Sequence, residues 1–309
     1  MNIYLIGSLA FDEIGHYNGR FVELFKEDRL ENLSVSFVVE DTMRFFGGCM
    51  GNVAYSLGLL HTPAVLCSLL GQDGHFYSEA LKSSGMDIKN LKVVPGGSTA
   101  HAMIATDLSE NQITQFAPGV IGSDAPDFIL PQTAKAGDIL LVGPENRDRM
   151  FSAVKQGAER GMRVFFDPGQ LIHTFTPKEI LQMLELSEAL FVNDYEFNLL
   201  LDICDIPQKE LFARVPLVFV THGDKGVNWY EKSVGKFLPA VPAQLVDPTG
   251  AGDAFRAGVL AGIKKGLPLE NSVQVGAILG AACVEYNKTQ GHKITESQIP
   301  VLRKLGFEV

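Results

Sequence analysis

Residues 247–258 read DPTGAGDAFRAG, and this stretch holds the residue types most able to do chemistry. Gly250, Ala251 and Gly252 offer main-chain N–H groups that no bulky side chain screens, and they lead into a helix whose dipole is positive at that end. Anion binding is expected there. Asp253 falls in the first turn, where its carboxylate can face the same point as those amides. A hydroxyl bound beside an anionic phosphoryl group could lose its proton to Asp253, which is what phosphoryl transfer to an alcohol requires. The plainer alternative is an acidic residue complementing a helix dipole after a tight turn. The small residues around Ala251 and the apolar helix behind favour the chemical reading.

The elements that must position this stretch follow a βα rhythm. Ile3 to Ile6, DILLVG (138–143), RVFFDPG (163–169), ALFVND (189–194) and LVFVTHG (217–223) are apolar runs without alternation, each ending in polar or glycine residues, as buried parallel strands do. AVLCSLLG (64–71) reads as a further core strand, and FYSEALKSSGM (76–86) as a helix stopped at Gly85. Asp12, Asp167, Asn193 and Thr221 then lie at or just beyond strand ends, where ligands gather in such sheets. VDPTGAGDAFRAGVLAGIKKG (246–266) and VQVGAILGAACVEY (273–286) are Ala- and Gly-rich helix candidates, apolar on most faces, and predicted to be central.

Two segments break the rhythm. SVSFVVED (34–41) follows a charged stretch at Lys26 to Glu31 and reads as a half-exposed strand, while residues 98–118 read as a hairpin turning at SEN. Together they predict a small β lid built from insertions at about 13–44 and 97–117 in one α/β domain spanning 1–309. On the lid, Phe37, Met103 and Phe116 offer flat apolar surface for a ring-shaped ligand; each could equally pack the lid on the core or on a second subunit. Exposed strand edges also predict a homodimer through the lid.

Bulk properties exclude other classes. With 26 basic and 36 acidic side chains the net charge is −10, which disfavours phosphate backbones and anionic membranes, so no nucleic-acid or membrane partner is expected. Cys49, Cys67, Cys204 and Cys283 have neither zinc-site spacing nor disulfide-scaffold density, which suits a reducing compartment. The N-terminus lacks a basic n-region and no apolar stretch reaches spanning length, so a cytoplasmic location is expected. A nicotinamide dehydrogenase would share the α/β rhythm but needs GxGxxG after the first strand, where IGSLAF stands.

DPTGAGDAFRAG resembles the C-terminal signature DTxGAGDxFxxG of the ribokinase or PfkB-type carbohydrate and nucleoside kinases, and further matches extend along the chain. The resemblance implies a ribokinase-like three-layer fold with a mostly parallel central sheet and the lid. It implies Asp253 as catalytic base, the Gly250 to Gly252 amides as anion hole, and Asp247 and Thr249 beside a monovalent cation such as K⁺. Gly47, Gly48 and Asn52 match the family's N-terminal glycine-rich signature and Asp12 its early acidic residue; both would grip substrate hydroxyls. Asn193 to Glu196 fits the NxxE element, with Glu196 holding Mg²⁺ through water, and Thr221, Gly223 and Gly226 fit the TxGxxG turn along the ATP phosphates and ribose. Asn287 begins a loop expected to border the ATP base, with Lys288 where glycine is more usual.

Within the family, SLAFDEI, FGGCMGNVAYSL and the 98–118 segment resemble bacterial nucleoside kinases of the adenosine-kinase type, although His101 stands where glutamine is common. The expected reaction is phosphorylation of a nucleoside 5′-hydroxyl by ATP with Mg²⁺. A kinase of ribose, fructose or a related sugar, and a non-catalytic sugar or nucleoside binder, stay as alternatives.

Overall fold

The structure, a computed structural model, describes residues 1–24, 35–109 and 111–309. The apolar runs become strands because each can bury both faces. The strands are β1 (Ile3–Ile6), β2 (Ala10–His16), β3 (Glu40–Gly47), β4 (Val65–Leu66), β5 (Leu69–Gly71), β6 (Lys92–Val94) and β7 (Ala100–Thr106). They continue with β8 (Gln112–Ala117), β9 (Ile139–Val142), β10 (Arg163–Phe166), β11 (Ala189–Asn193), β12 (Leu217–Thr221), β13 (Gly226–Glu231) and β14 (Val234–Pro239). The helices are α1 (Phe21–Leu24), α2 (Cys49–Leu59), α3 (His75–Ser83), α4 (Arg147–Glu159) and α5 (Pro177–Glu185). After these come α6 (Asp194–Cys204), α7 (Gln208–Arg214), α8 (Ala251–Lys265), α9 (Leu269–Val284) and α10 (Ile299–Lys304).

The main sheet has the order β14-β13-β12-β11-β10-β9-β1-β4; β4 through β12 are parallel, and β13 and β14 are antiparallel additions. Strand parity divides the core between the two faces. Ile3 and Leu5 of β1 pack with Met50 and Val53 of α2, Val259 of α8 and Val273 of α9. Tyr4 and Ile6 point the other way, to Met150 and Val154 of α4, Ile180 of α5 and Leu200 of α6. This makes the expected three layers. The Gly and Ala content of α8 and α9 has a packing cause: a Cβ on Gly258 would come within 2.6 Å of Gly276 Cα, so these two helices meet backbone to backbone.

A second sheet, ordered β3-β2-β7-β8, stands apart, with β2 and β7 parallel and the outer pairs antiparallel. The hairpin expected over 98–118 is β7–β8. The strand expected at 34–41 is displaced: β3 starts only at Glu40 and runs to Gly47, and 35–39 form no strand. Alternation alone did not locate it, because the pairing of β3 with β2 is long-range. The charged stretch at Lys26 to Glu31, and Ser34, lie outside the described residues. The segment 64–71 is two short strands, not one: β4 ends in the main sheet, and β5 pairs with β6. The β13–β14 hairpin was not expected. Its two-residue turn is Lys232 and Ser233, both at positive φ, without the Asn-Gly or Asp-Gly pair that marks such turns in sequence. Among the described residues no helix is long and apolar enough to cross a membrane.

Candidate active site

The start of α8 is shaped by Gly250, which takes the left-handed conformation (φ 82°, ψ −5°) at the N-cap. A side chain there would also press on Thr289, 3.3 Å from the added carbon. The amides differ from the expected trio. Ala251 N donates to Pro248 O at 3.2 Å, closing a turn, whereas among the described residues the N–H groups of Gly250, Gly252 and Asp253 have no partner. Among the described residues the uncommitted donors at this helix start are therefore these three, with the Ala251 amide withdrawn.

Asp253 is held from two sides. Asn52 Nδ2, from the first turn of α2, donates to its Oδ2 at 2.8 Å, and Arg256 Nη1 lies 3.9 Å from its Oδ1. Burial raises the Asp253 carboxyl above the ordinary carboxylate range; Arg256 and the Asn52 hydrogen bond pull it back, and Glu196 adds to the rise. Arg256 is fixed in turn by Asp167, which follows β10: Nη2 donates to Oδ1 at 2.9 Å and Nε lies 2.6 Å from Oδ2. Burial lifts Asp167 to about 7 against the pull of Arg256. Although burial opposes the charge on Arg256, Asp167 and Asp253 hold its guanidinium protonated. Gly252 is small for a further reason: a Cβ would lie 2.6 Å from Arg256 Nη1. Asp167 was expected at a strand end, while Arg256 stood in the DPTGAGDAFRAG stretch without a role of its own. The i,i+3 spacing of Asp253 and Arg256 was the local signal for their contact.

The N-terminal signature assembles beside this pair. Gly48 caps α2 at φ 81°, and the helix start is tied to Ser8, whose Oγ accepts from Cys49 N at 3.1 Å and whose carbonyl accepts from Met50 N at 3.0 Å. Gly47 leaves room for Asp12, since a Cβ on it would sit 2.1 Å from Asp12 Oδ2. Burial raises the Asp12 carboxyl, with His101 opposing. The loop after α9 closes the corner: Gln290 Nε2 donates to Asn52 Oδ1 at 3.1 Å and to Tyr77 Oη at 2.7 Å, and Thr289 Oγ1 donates to Phe46 O at 3.3 Å. Lys288 Nζ lies 4.9 Å from the Phe45 ring centre. Residues 288–290 thus touch β3 and α2; Asn287, the expected neighbour of the ATP base, is exposed just before them. Gln290 and Tyr77 were not singled out from sequence, because Gln290 lies 213 residues from Tyr77 and 238 from Asn52 along the chain.

Register sorts the residues expected on the lid. Asp12 pairs with Phe45 and Ala102, and Ala102 pairs with Phe116, so these share one face of the sheet. Met103 pairs with Glu13, on the opposite face, where His101 Nε2 lies 2.9 Å from Glu13 Oε2. Phe37 is on no strand; its ring packs 5.2 Å from Tyr17 and 5.3 Å from Phe21 between centroids. The three apolar side chains do not form one slot, and Phe116 alone faces with Asp12.

Asn193 and Thr221 are paired neighbours at the carboxyl ends of β11 and β12. Asn193 and Glu196 form a capping box on α6: Asn193 Oδ1 accepts from Glu196 N at 2.8 Å, and Glu196 Oε2 from Asn193 N at 2.9 Å. Gly223 (φ 58°) and Gly226 (φ 117°) turn the chain into β13. Asp247 Oδ1 accepts from Thr249 N at 2.9 Å. Among the described residues no three His, Cys, Asp or Glu side chains gather as a metal cluster.

Known proteins match this chain over most of its length. The family described as pfkB family carbohydrate kinase matches residues 14–296. The ligand-free nucleoside kinase of Burkholderia thailandensis is 32% identical, with a TM-score of 0.84, over 98% of this chain and 99% of its own; that enzyme has also been solved with inosine and with ADP-inosine. The nucleoside kinase of Methanocaldococcus jannaschii, described as an archaeal member of the ribokinase family, is 27% identical, with a TM-score of 0.86, over 99% of this chain and 98% of its own. The ribokinase-like fold expected from the sequence is borne out by these likenesses.

Proposed function

Because the chain belongs to the pfkB family of carbohydrate kinases, we propose that it transfers the γ-phosphoryl group of ATP to the 5′-hydroxyl of a nucleoside. The observation that carries this is the Asp253 carboxylate at the start of α8, anchored by Asn52 beside the uncommitted amides of Gly250, Gly252 and Asp253. The two nucleoside kinases support a nucleoside over a free sugar.

In this reading Asp12 accepts from ribose hydroxyls in the space Gly47 leaves, and Phe116 and Phe45 flank the nucleoside on the same face of the small sheet, which closes over it. Asn52 and Gly48 complete that side. The 5′-hydroxyl gives its proton to Asp253 as its oxygen bonds to the γ-phosphorus and the bond to the β-phosphate oxygen breaks, releasing ADP. The amides of Gly250, Gly252 and Asp253 meet the charge on the transferring group. Asn193, Thr221, Gly223, Gly226 and Asn287 line the ATP side. Mg²⁺ bound to the phosphates would neutralise part of their charge. Glu196 suits it as a holder of bound water, since its Oε2 is committed to the helix cap and its Oε1 takes no hydrogen bond among the described residues; a Mg²⁺ that keeps its waters needs few carboxylates. Asp247, with Oδ2 left over from its turn, and Thr249 would hold a monovalent cation such as K⁺ next to the anion-binding amides. The exposed edges β3 and β8 suit pairing with a second copy.

The test is ADP release with ATP and Mg²⁺ over adenosine, inosine, guanosine, cytidine, ribose and fructose, with products identified by mass. Nucleoside monophosphate is expected, and Asp253→Asn should lower kcat by at least about 10²-fold with KM little changed. Turnover of sugars alone would move the substrate to the carbohydrate class, and a folded Asp253→Asn protein of undiminished kcat would remove Asp253 from the chemistry.

A further inference from the structure

A partly buried string of hydrogen bonds reaches Asp253 from the loop after α9, and its direction is dictated from one end. The Gly47 carbonyl can only accept, so Tyr77, whose oxygen lies 2.6 Å away, must donate its one proton to it. The Tyr77 oxygen is then an acceptor, and the Gln290 atom 2.7 Å from it must be the amide nitrogen. That nitrogen also lies 3.1 Å from Asn52 and, having protons to give, requires Asn52 Oδ1 there. Asn52 is thereby turned with Nδ2 toward Asp253 Oδ2 at 2.8 Å. Each amide orientation follows from the previous bond, back to a main-chain carbonyl that cannot reverse its role.

Resting on the kinase reading above, we propose that Gln290 is a positioning residue: it locks the Asn52 amide so that a donor, never an acceptor, meets Asp253 Oδ2, which leaves Oδ1 to receive the substrate proton. A reversed Asn52 amide would present its oxygen, and only a protonated Asp253 could bond to that. A protonated Asp253 is no base. The other groups around Asp253 are Arg256 on α8, Asp167 after β10, Glu196 on α6, Cys49 on α2, Cys283 on α9 and Tyr77 on α3. Of these Arg256 favours the ionised carboxylate and Glu196 opposes it, with burial acting in the same sense as Glu196. Asn52 is the neutral member whose effect changes sign with its orientation, which makes the group that fixes the orientation matter.

The experiment is a cycle of Gln290→Leu, Asn52→Leu and the double variant, with Tyr77→Phe, measuring kcat against pH with saturating nucleoside and thermal unfolding of each. Gln290→Leu should move the acid limb of kcat upward by about one pH unit, because a hydrogen bond to a charged group of about 1.5 kcal/mol is no longer assured. Tyr77→Phe, which keeps the Gln290 to Asn52 bond, should move it less. The double variant should shift no further than Asn52→Leu alone, since Gln290 acts only through Asn52. Additive shifts, or an acid limb unmoved in a folded and active Gln290→Leu protein, would overturn the inference. Tyr77→Phe keeps the test decisive should Gln290→Leu fail to fold, for Tyr77 sets the Gln290 amide from the Gly47 carbonyl, and an acid limb unmoved in a folded and active Tyr77→Phe protein would contradict the assigned direction. Failure of the wild-type protein to phosphorylate any nucleoside or sugar would instead remove the kinase reading, a separate outcome read before any variant.

Discussion

Lowering the pH should unlatch the loop that carries Gln290 through its neighbour His292. This side chain is fully buried, its ring lies 5.0 Å from that of Tyr55, its Nε2 is 3.2 Å from Ser56 Oγ, and its carbonyl accepts from Tyr55 Oη at 2.8 Å. Burial lowers its pKa from 6.5 to about 4, with a hydrogen bond to Thr289 opposing. The folded state therefore keeps the imidazole neutral where the unfolded chain takes up a proton, and stability falls as pH drops from 6.5 toward 4. Linkage over that interval gives a loss of about 2 kcal/mol between pH 7.5 and pH 5, approaching about 3 kcal/mol below both values. Urea unfolding followed by the fluorescence of buried Trp229 at the two pH values, in the wild type and in His292→Gln, isolates the effect. The variant starts less stable through lost packing but should lose about 2 kcal/mol less on acidification. Asp12, Asp167 and Asp253, whose raised values act in the opposite sense, are common to both proteins and cancel in the comparison. Equal losses in wild type and variant would refute the assignment of a neutral buried imidazole.

Arg256→Met should destabilise the protein by about 3–5 kcal/mol by leaving Asp167 buried without its partner, and adding Asp167→Asn should recover at least half of that in the same urea assay. Phe116→Ala should raise nucleoside KM about tenfold through loss of a stacking surface, while Met103→Ala, on the other face of the sheet, should leave it within about twofold. Gly47→Ala should barely change the melting temperature, because the Asp12 carboxylate can swing aside, but steady-state kinetics should show KM raised by about tenfold or more since that swing removes it from the ribose.

What the chain order could reveal was what is local or repeats with a fixed period. The βα rhythm, the strand-end positions of Asp167, Asn193 and Thr221, and the DPTGAGDAFRAG stretch at a helix start were legible, since backbone propensity, two-sided burial and helix dipoles act over a few residues, whereas Asp12, expected just beyond a strand end, falls inside β2, a strand defined by its pairing with β3 and β7. The candidate site was legible only in its parts. Which face of the small sheet Met103 and Phe116 occupy depends on a register that changes side with each residue, so a one-residue uncertainty erases the answer. The withdrawal of the Ala251 amide to Pro248 is a matter of turn geometry that residue type does not specify. The string from Gly47 through Tyr77, Gln290 and Asn52 to Asp253 joins the β3–α2 corner to α3, α8 and the loop after α9, and hydrogen-bond direction exists only once bonded atoms lie within 3.1 Å of each other. The residues able to take a proton or bind an anion could be named from the sequence; the tertiary packing decided which way each donor points, because that depends on neighbours the chain brings together only by folding.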